Sequence, residues 1–148
     1  MSVDLPVVNR LNQILFTTAD FYYTYKHFHW NLQDSKFPIF HELFDKHASL
    51  ILASQDIIAE RLRQKGQKVQ LKIYSDAQKL SVIEKKKIET KNNLDEILQF
   101  LIKQHQLTIE LLEKTIEESQ EDPSTADYLT KFLQEHQLMQ WFLTSSLN

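Results

Sequence analysis

Cysteine is absent from this 148-residue chain, which excludes disulfides and thiolate metal ligands. Its absence fits a reducing compartment, and a cytoplasmic protein is expected. Glycine occurs once and proline three times, so little interrupts a helix and an all-α chain is expected. No apolar run approaches the roughly 18 residues that would mark a membrane-spanning helix. No basic start followed by a long apolar stretch marks a signal peptide. The formal net charge is −3, and nothing has the basic stripe of a dedicated DNA-binding domain.

What is present supports a core. Hydrophobic residues make up 42% of the chain and charged residues 25%. The length suits a single domain spanning residues 1–148. Four long helices and one short one are expected. The first covers residues 4–32, with Val8, Leu11, Leu15, Tyr22 and Tyr25 as its apolar stripe and His29 continuing it inward or into an interface. The other Tyr and Phe residues of this helix are expected in the core. Asp34 and Ser35 read as turn and N-cap residues, and Pro38 is tolerable in the first turn of the second helix. That helix runs to Lys65-Gly66, where glycine suits a C-cap. Residues 67–90 are too long for a simple hairpin loop. A short helix over 76–80 is expected there, Ser81-Val-Ile-Glu84 has capping-box spacing, and Glu84-Lys85-Lys86-Lys87 reads as solvated surface.

The third helix covers residues 91–120, with Leu94, Ile97, Leu98, Leu101, His105, Thr108, Leu112 and Ile116 as its buried stripe. Glu121-Asp122-Pro123 breaks it. Asp122 or Ser124 then opens a fourth helix to about Ser145, with Tyr128, Leu129, Phe132 and Trp141 among its apolar residues. Two hairpins joined by a long crossover form the topology of a ferritin-like four-helix bundle.

Five residues carry the chemistry: His29, His41, Asp45, Asp56 and Glu60, spaced H-x11-H-x3-D-x10-D-x3-E. Mixed nitrogen and carboxylate ligands suit a divalent transition metal such as iron. In the second helix His41 and Asp45 are i,i+4 neighbours, as are Asp56 and Glu60. All four fall within an arc of about 100°. Yet Asp45 and Asp56 lie about 16 Å apart along the axis, whereas metal–ligand bonds span about 2.0–2.2 Å. One helix cannot bring both pairs to one ion. An antiparallel copy related by a two-fold axis near Leu50 and Ile51 can, and Ala48, Ser49 and Leu52 on that face would permit close approach. Each dimer would then hold two equivalent sites. The chain has no Glu-x-x-His, the motif of ferritin-like sites inside one bundle.

Taken singly, these residues have plainer readings. Asp56 and Glu60 would pair with Arg61, Arg63 or Lys65, and His29 would be a hydrogen-bonded buried histidine. The five together favour metal. His27, His47, His105 and His136 read instead as surface or satisfied core residues.

His29-Trp30-Asn31, His41, Asp45 and Gln55-Asp-Ile-Ile-Ala-Glu-Arg61 resemble the Dps family of mini-ferritins, the DNA-binding proteins from starved cells. Asp122-Pro-Ser-Thr-Ala-Asp-Tyr-Leu-Thr130, with Glu135-His136 and Trp141-Phe-Leu143, is similar to that family's last helix. The resemblance covers nearly the whole chain. It implies a hollow homododecamer that binds Fe(II) between two-fold-related subunits, oxidises it preferentially with hydrogen peroxide and stores ferric mineral. His29, His41 and Asp45 would come from one subunit and Asp56 and Glu60 from its partner, with Trp30 as the aromatic residue beside the iron. Asp34-Ser35 stand where the family often has Gly-Pro, and Phe40 replaces the usual Leu before the second histidine; both departures affect the turn and its packing.

The acidic cluster Glu117, Glu118, Glu121, Asp122 and Asp127 reads either as a solvated helix end or, by the resemblance, as part of a three-fold pore that attracts iron, with Asp127 its best candidate. DNA contact needs basic side chains. The start Met-Ser-Val-Asp-Leu-Pro and the end Thr-Ser-Ser-Leu-Asn have none, so direct DNA binding is not expected. A peroxide-dependent ferroxidase and iron store is therefore placed ahead of two alternatives. These are a DNA-condensing stress protein with a secondary metal site, and a metal-free helical oligomerisation module.

Overall fold

Four helices form where the apolar periodicity places them. The computed structural model describes residues 5–69 and 79–148. Helix α1 is Leu5–Asn31, α2 is Phe37–Gln64, α3 is Leu94–Glu118 and α4 is Pro123–Thr144, with a 3₁₀ helix at Lys85–Thr90 in the crossover. Helices α1 and α2 pack together, as do α3 and α4, and the pairs meet through α1–α3 and α2–α4. Among the described residues there is no strand.

The helix ends follow from local chemistry. Gly66, at φ 79°, takes the left-handed position after α2. Its N–H donates to the Arg63 carbonyl, and the Gln67 N–H donates to the Leu62 carbonyl, which closes a Schellman motif. Asp122, rather than Ser124, caps α4: its carboxylate accepts from the Thr125 N–H, with Pro123 in the first turn. Asn93 caps α3 by accepting from the Glu96 N–H at 2.9 Å, so this helix starts three residues later than expected.

Two local expectations are corrected. Ser35 is not the cap of α2; Lys36 holds that position without a side-chain bond, and the Asp34 carboxylate shapes the turn by accepting from the Lys36 N–H. Ser81 opens no helix. Its hydroxyl accepts from the Ile83 N–H, while Glu84 is drawn to Lys87, Lys103 and Gln104. Those partners hold the Glu84 carboxyl down at about 2. The Glu84–Lys87 run is thus partly tied down: Lys85 also reaches Asp20 at 2.6 Å, while Lys86 and Lys87 stay exposed. Of the short helix expected over 76–80, Lys79 and Leu80 are helical and the rest lies outside the described residues.

The core has two apolar regions. One gathers Val7, Leu11, Leu15, Ile58, Leu62, Leu112, Leu129 and Phe132. The other is aromatic, with Phe21, Tyr25, Phe28, Phe40, Phe44 and Phe100. The expected stripe of α3 is buried from Leu94 to Leu112, with Ile116 partly so. Tyr23 departs from expectation: it is exposed, as are Tyr128 and Trp141 on α4. Helical periodicity points these three away from the bundle axis.

Candidate metal centre

Helix α2 has two faces of opposite character. Phe40, Phe44, Ala48, Ile51, Ile58 and Leu62 turn into the bundle. His41, Asp45, Ser49, Leu52, Asp56 and Glu60 form the other stripe, from half-buried at the His41 end to exposed at Glu60. Ala48 does not lie on this outward stripe as expected; it is fully buried in the subunit's own core. Ser49 and Leu52 remain as the small and apolar residues between the two ligand pairs.

His29 comes from the last turn of α1 and meets His41 from the first turns of α2. Their rings stack with centroids 3.8 Å apart and planes 12° from parallel. Each ring's Nδ1 donates to the other residue's backbone carbonyl, at 2.6 Å from His29 and 2.7 Å from His41. A carbonyl can only accept, so the proton sits on Nδ1 in both rings. In the neutral ring this leaves the Nε2 lone pair for a metal, the arrangement by which outer-shell acceptors orient histidine ligands. Phe37 stacks on the far side of His41 at 4.6 Å and fixes its ring further.

Asp45, one turn beyond His41, is engaged by Lys26 of α1 at 2.5 Å. That hydrogen bond, helped by the field of His29 and His41, lowers the Asp45 carboxyl below its ordinary range. Neither Lys26 nor Phe37 was expected from the sequence. Lys26 precedes His29 by three residues and so lies on its face of α1, but only the α1–α2 packing brings it to Asp45.

Asp56 and Glu60 are exposed on the same α2 stripe, more than two turns further on. Among the described residues, no three His, Asp or Glu side chains of one chain converge as a metal-binding group. Trp30 is 62% exposed at the end of α1. Of the acidic cluster, Glu118 pairs with Arg10 at 3.0 Å, and Asp122 is bound by Arg61 and Lys65 as well as capping α4. Glu117, Glu121 and Asp127 are exposed. The other histidines divide as expected: His27 is half-buried, and His47, His105 and His136 are buried and hydrogen-bonded.

Four helices paired in this way, with the long connection between α2 and α3, define a ferritin-like domain, and the family model described as Ferritin, ferritin-like domain, matches residues 8–148. A "DNA protection during starvation protein" of Agrobacterium fabrum is 30% identical over 141 residues, covering 93% of this chain and 85% of that protein. The solved structure of Dps from Thermosynechococcus elongatus superposes with a TM-score of 0.88 at 26% identity, over 97% of this chain and 90% of the other. A Dps from Vibrio cholerae, described as a member of a superfamily of ferritin-like diiron-carboxylate proteins, superposes with a TM-score of 0.85 at 21% identity, over 95% and 88% of the two chains. The chain belongs to the ferritin-like domain family and, within it, to the Dps proteins.

Proposed function

We propose that this protein is a mini-ferritin whose substrate is ferrous iron, bound at two equivalent sites across a two-fold dimer interface. His29, His41 and Asp45 of one subunit would face Asp56 and Glu60 of its partner. The observation that carries the reading is the reciprocal bonding of His29 and His41, which reserves both Nε2 atoms for a metal beside the Asp45 carboxylate. The exposure of Asp56 and Glu60 on the same stripe supports their role in completing a partner's site.

The carboxylates neutralise the ion and favour the ferric state, while the imidazoles suit ferrous iron. Hydrogen peroxide is the matching oxidant. Two ferrous ions give one electron each to one peroxide, which takes up two protons and leaves as two waters. Ferric product then accumulates as mineral inside a dodecameric shell. Exposed Asp127 and Glu121 are placed at the iron-attracting entry; Asp122, already held by two cations, serves the fold first. Trp30, next to His29 in the chain and exposed, would serve as an electron-transfer aromatic.

The starvation relative's name speaks of DNA protection. In this chain that protection is assigned to iron and peroxide removal in the cytoplasm, without direct DNA contact. The acidic net charge supports this reading. Among the described residues no helix is long and apolar enough to cross a membrane.

Anaerobic Fe(II) titration followed by peroxide tests the proposal. Peroxide should oxidise the bound iron faster than oxygen does, and Asp56→Ala/Glu60→Ala should lose the fast phase with helicity unchanged. A normal rate in that variant would reject the assigned site. In a gel shift with plasmid DNA in metal-free buffer no retardation is expected; salt-sensitive retardation would favour the DNA-condensing alternative.

A further inference from the structure

Inside the aromatic half of the core, four polar side chains form one chain, each from a different helix: Tyr25 of α1, His47 of α2, His105 of α3 and His136 of α4. The Tyr25 hydroxyl lies 2.6 Å from His105 Nε2 and 3.0 Å from His47 Nδ1. His105 Nδ1 lies 3.0 Å from His136 Nδ1. Tyr25 and His105 are fully buried, and His47 and His136 nearly so. The ligand stripe of α2 uses none of these residues.

A proton count constrains the chain. Tyr25 has one proton and two nitrogen partners, so it donates to one and accepts from the other. The shorter contact marks His105 Nε2 as the acceptor. His105 then carries its proton on Nδ1 and donates it to His136 Nδ1, while His47 Nδ1 donates to the phenol oxygen. Each of the three contacts is then satisfied with one proton per ring. Burial keeps the rings neutral, holding His136 down at about 3 and His105 well below its usual value. It also holds the phenol well above its usual range. Tyr25 is therefore a protonated phenol aimed at a neutral base. Phe21 stacks on it at 5.2 Å and Phe44 meets its edge at 5.8 Å, which shields it from other radicals. His29 stands four residues further along α1, about 6 Å along the axis and on the same side of the helix.

We propose that Tyr25 is a redox-active residue that supplies one electron to hydrogen peroxide when only one ferrous ion occupies a site. The inference rests on the reading of the site given above. Ferrous iron gives one electron and becomes ferric. Tyr25 gives the second electron and becomes a neutral phenoxyl radical, its proton passing to His105 Nε2. Peroxide takes both electrons and two protons from solvent and leaves as two waters. His105 can pass its own Nδ1 proton to His136, which moves the positive charge from the radical. Without a second electron donor, one ferrous ion and one peroxide yield ferric ion, hydroxide and a free hydroxyl radical; Tyr25 is that donor from the core side, in addition to exposed Trp30.

The test loads the assembled protein anaerobically with one Fe(II) per site, adds peroxide and freezes the sample for electron paramagnetic resonance. Ferric formation is followed by absorbance in the same mixture. The wild-type protein should show a tyrosyl signal that narrows when its tyrosines are ring-deuterated. The chain has five tyrosines. A variant with Tyr22, Tyr23, Tyr74 and Tyr128 all changed to Phe should keep the signal. Tyr25→Phe, checked for assembly and helicity, should lose it and release more spin-trapped hydroxyl radical. Ferric formation without a tyrosyl radical would overturn the inference and leave the iron function standing. So would a signal lost from the Tyr25-only variant or kept in Tyr25→Phe. No ferric formation in the wild type would overturn the reading of the site and this inference with it.

Discussion

Lys26 Nζ stands 2.5 Å from Asp45 Oδ1, so a protein cation occupies a carboxylate that the proposed site assigns to iron. An ammonium is monovalent and tethered, and iron must compete with it or share the carboxylate. Lys26→Met should therefore strengthen anaerobic Fe(II) binding, by about two- to fivefold, the scale of a partly exposed ion pair. Isothermal titration of the two proteins measures this. Equal or weaker binding in the variant would mean that Lys26 orients Asp45 rather than competing for it.

A site shared across a two-fold axis, as proposed, makes a second prediction through symmetry. His41→Ala/Asp45→Ala and Asp56→Ala/Glu60→Ala should each be inactive alone. In a mixed dimer one site receives both defective halves and the other both intact halves, so co-assembly should restore part of the peroxide-driven oxidation. Verified mixed dimers with no recovered activity would count against the two-fold arrangement.

Asp122 and Asp127 should separate by stability. Asp122 caps α4 and binds both Arg61 and Lys65, while Asp127 is exposed. Asp122→Ala should destabilise the fold by about 1–2 kcal/mol, from the lost cap and the two cations left without their partner. Asp127→Ala should leave chemical denaturation unchanged and slow iron entry. A slower entry in neither variant would remove the acidic cluster from the iron path.

Acid should weaken the fold through the buried histidines. Burial lowers His136 to about 3 and holds His105 well below its ordinary 6.5. Between about 3 and 6.5 the unfolded chain binds a proton at His136 that the folded chain does not, and His105 acts in the same direction, so stability present above about pH 6.5 is lost as pH falls. Each such histidine contributes about 1.4 kcal/mol per pH unit in that window. Thermal melts from pH 7 to pH 5 should show the decline, and His136→Gln should flatten it. An unchanged slope in that variant would mean that His136 is already protonated in the fold.

The number of long helices, most of their apolar faces and the five candidate ligands were legible in the chain, because periodicity and i,i+4 spacing act within one helix; Tyr23, Ala48, Tyr128 and Trp141 were the exceptions. It also located the end of α2, since a lone glycine after basic residues satisfies a local rule; Gly66 takes the required positive φ. The caps were less legible. Ser35 and Ser81 had the right chemistry, but the turn geometry gave those ends to Lys36 and to the 3₁₀ helix. Which partners meet across helices was settled by packing. The stacking of His29 on His41, the hold of Lys26 on Asp45 and the joining of Tyr25 to three histidines each depend on helix crossing and rotation. Those variables are set by core packing, and a histidine that fills a polar gap between helices has the same one-dimensional pattern as one that does not.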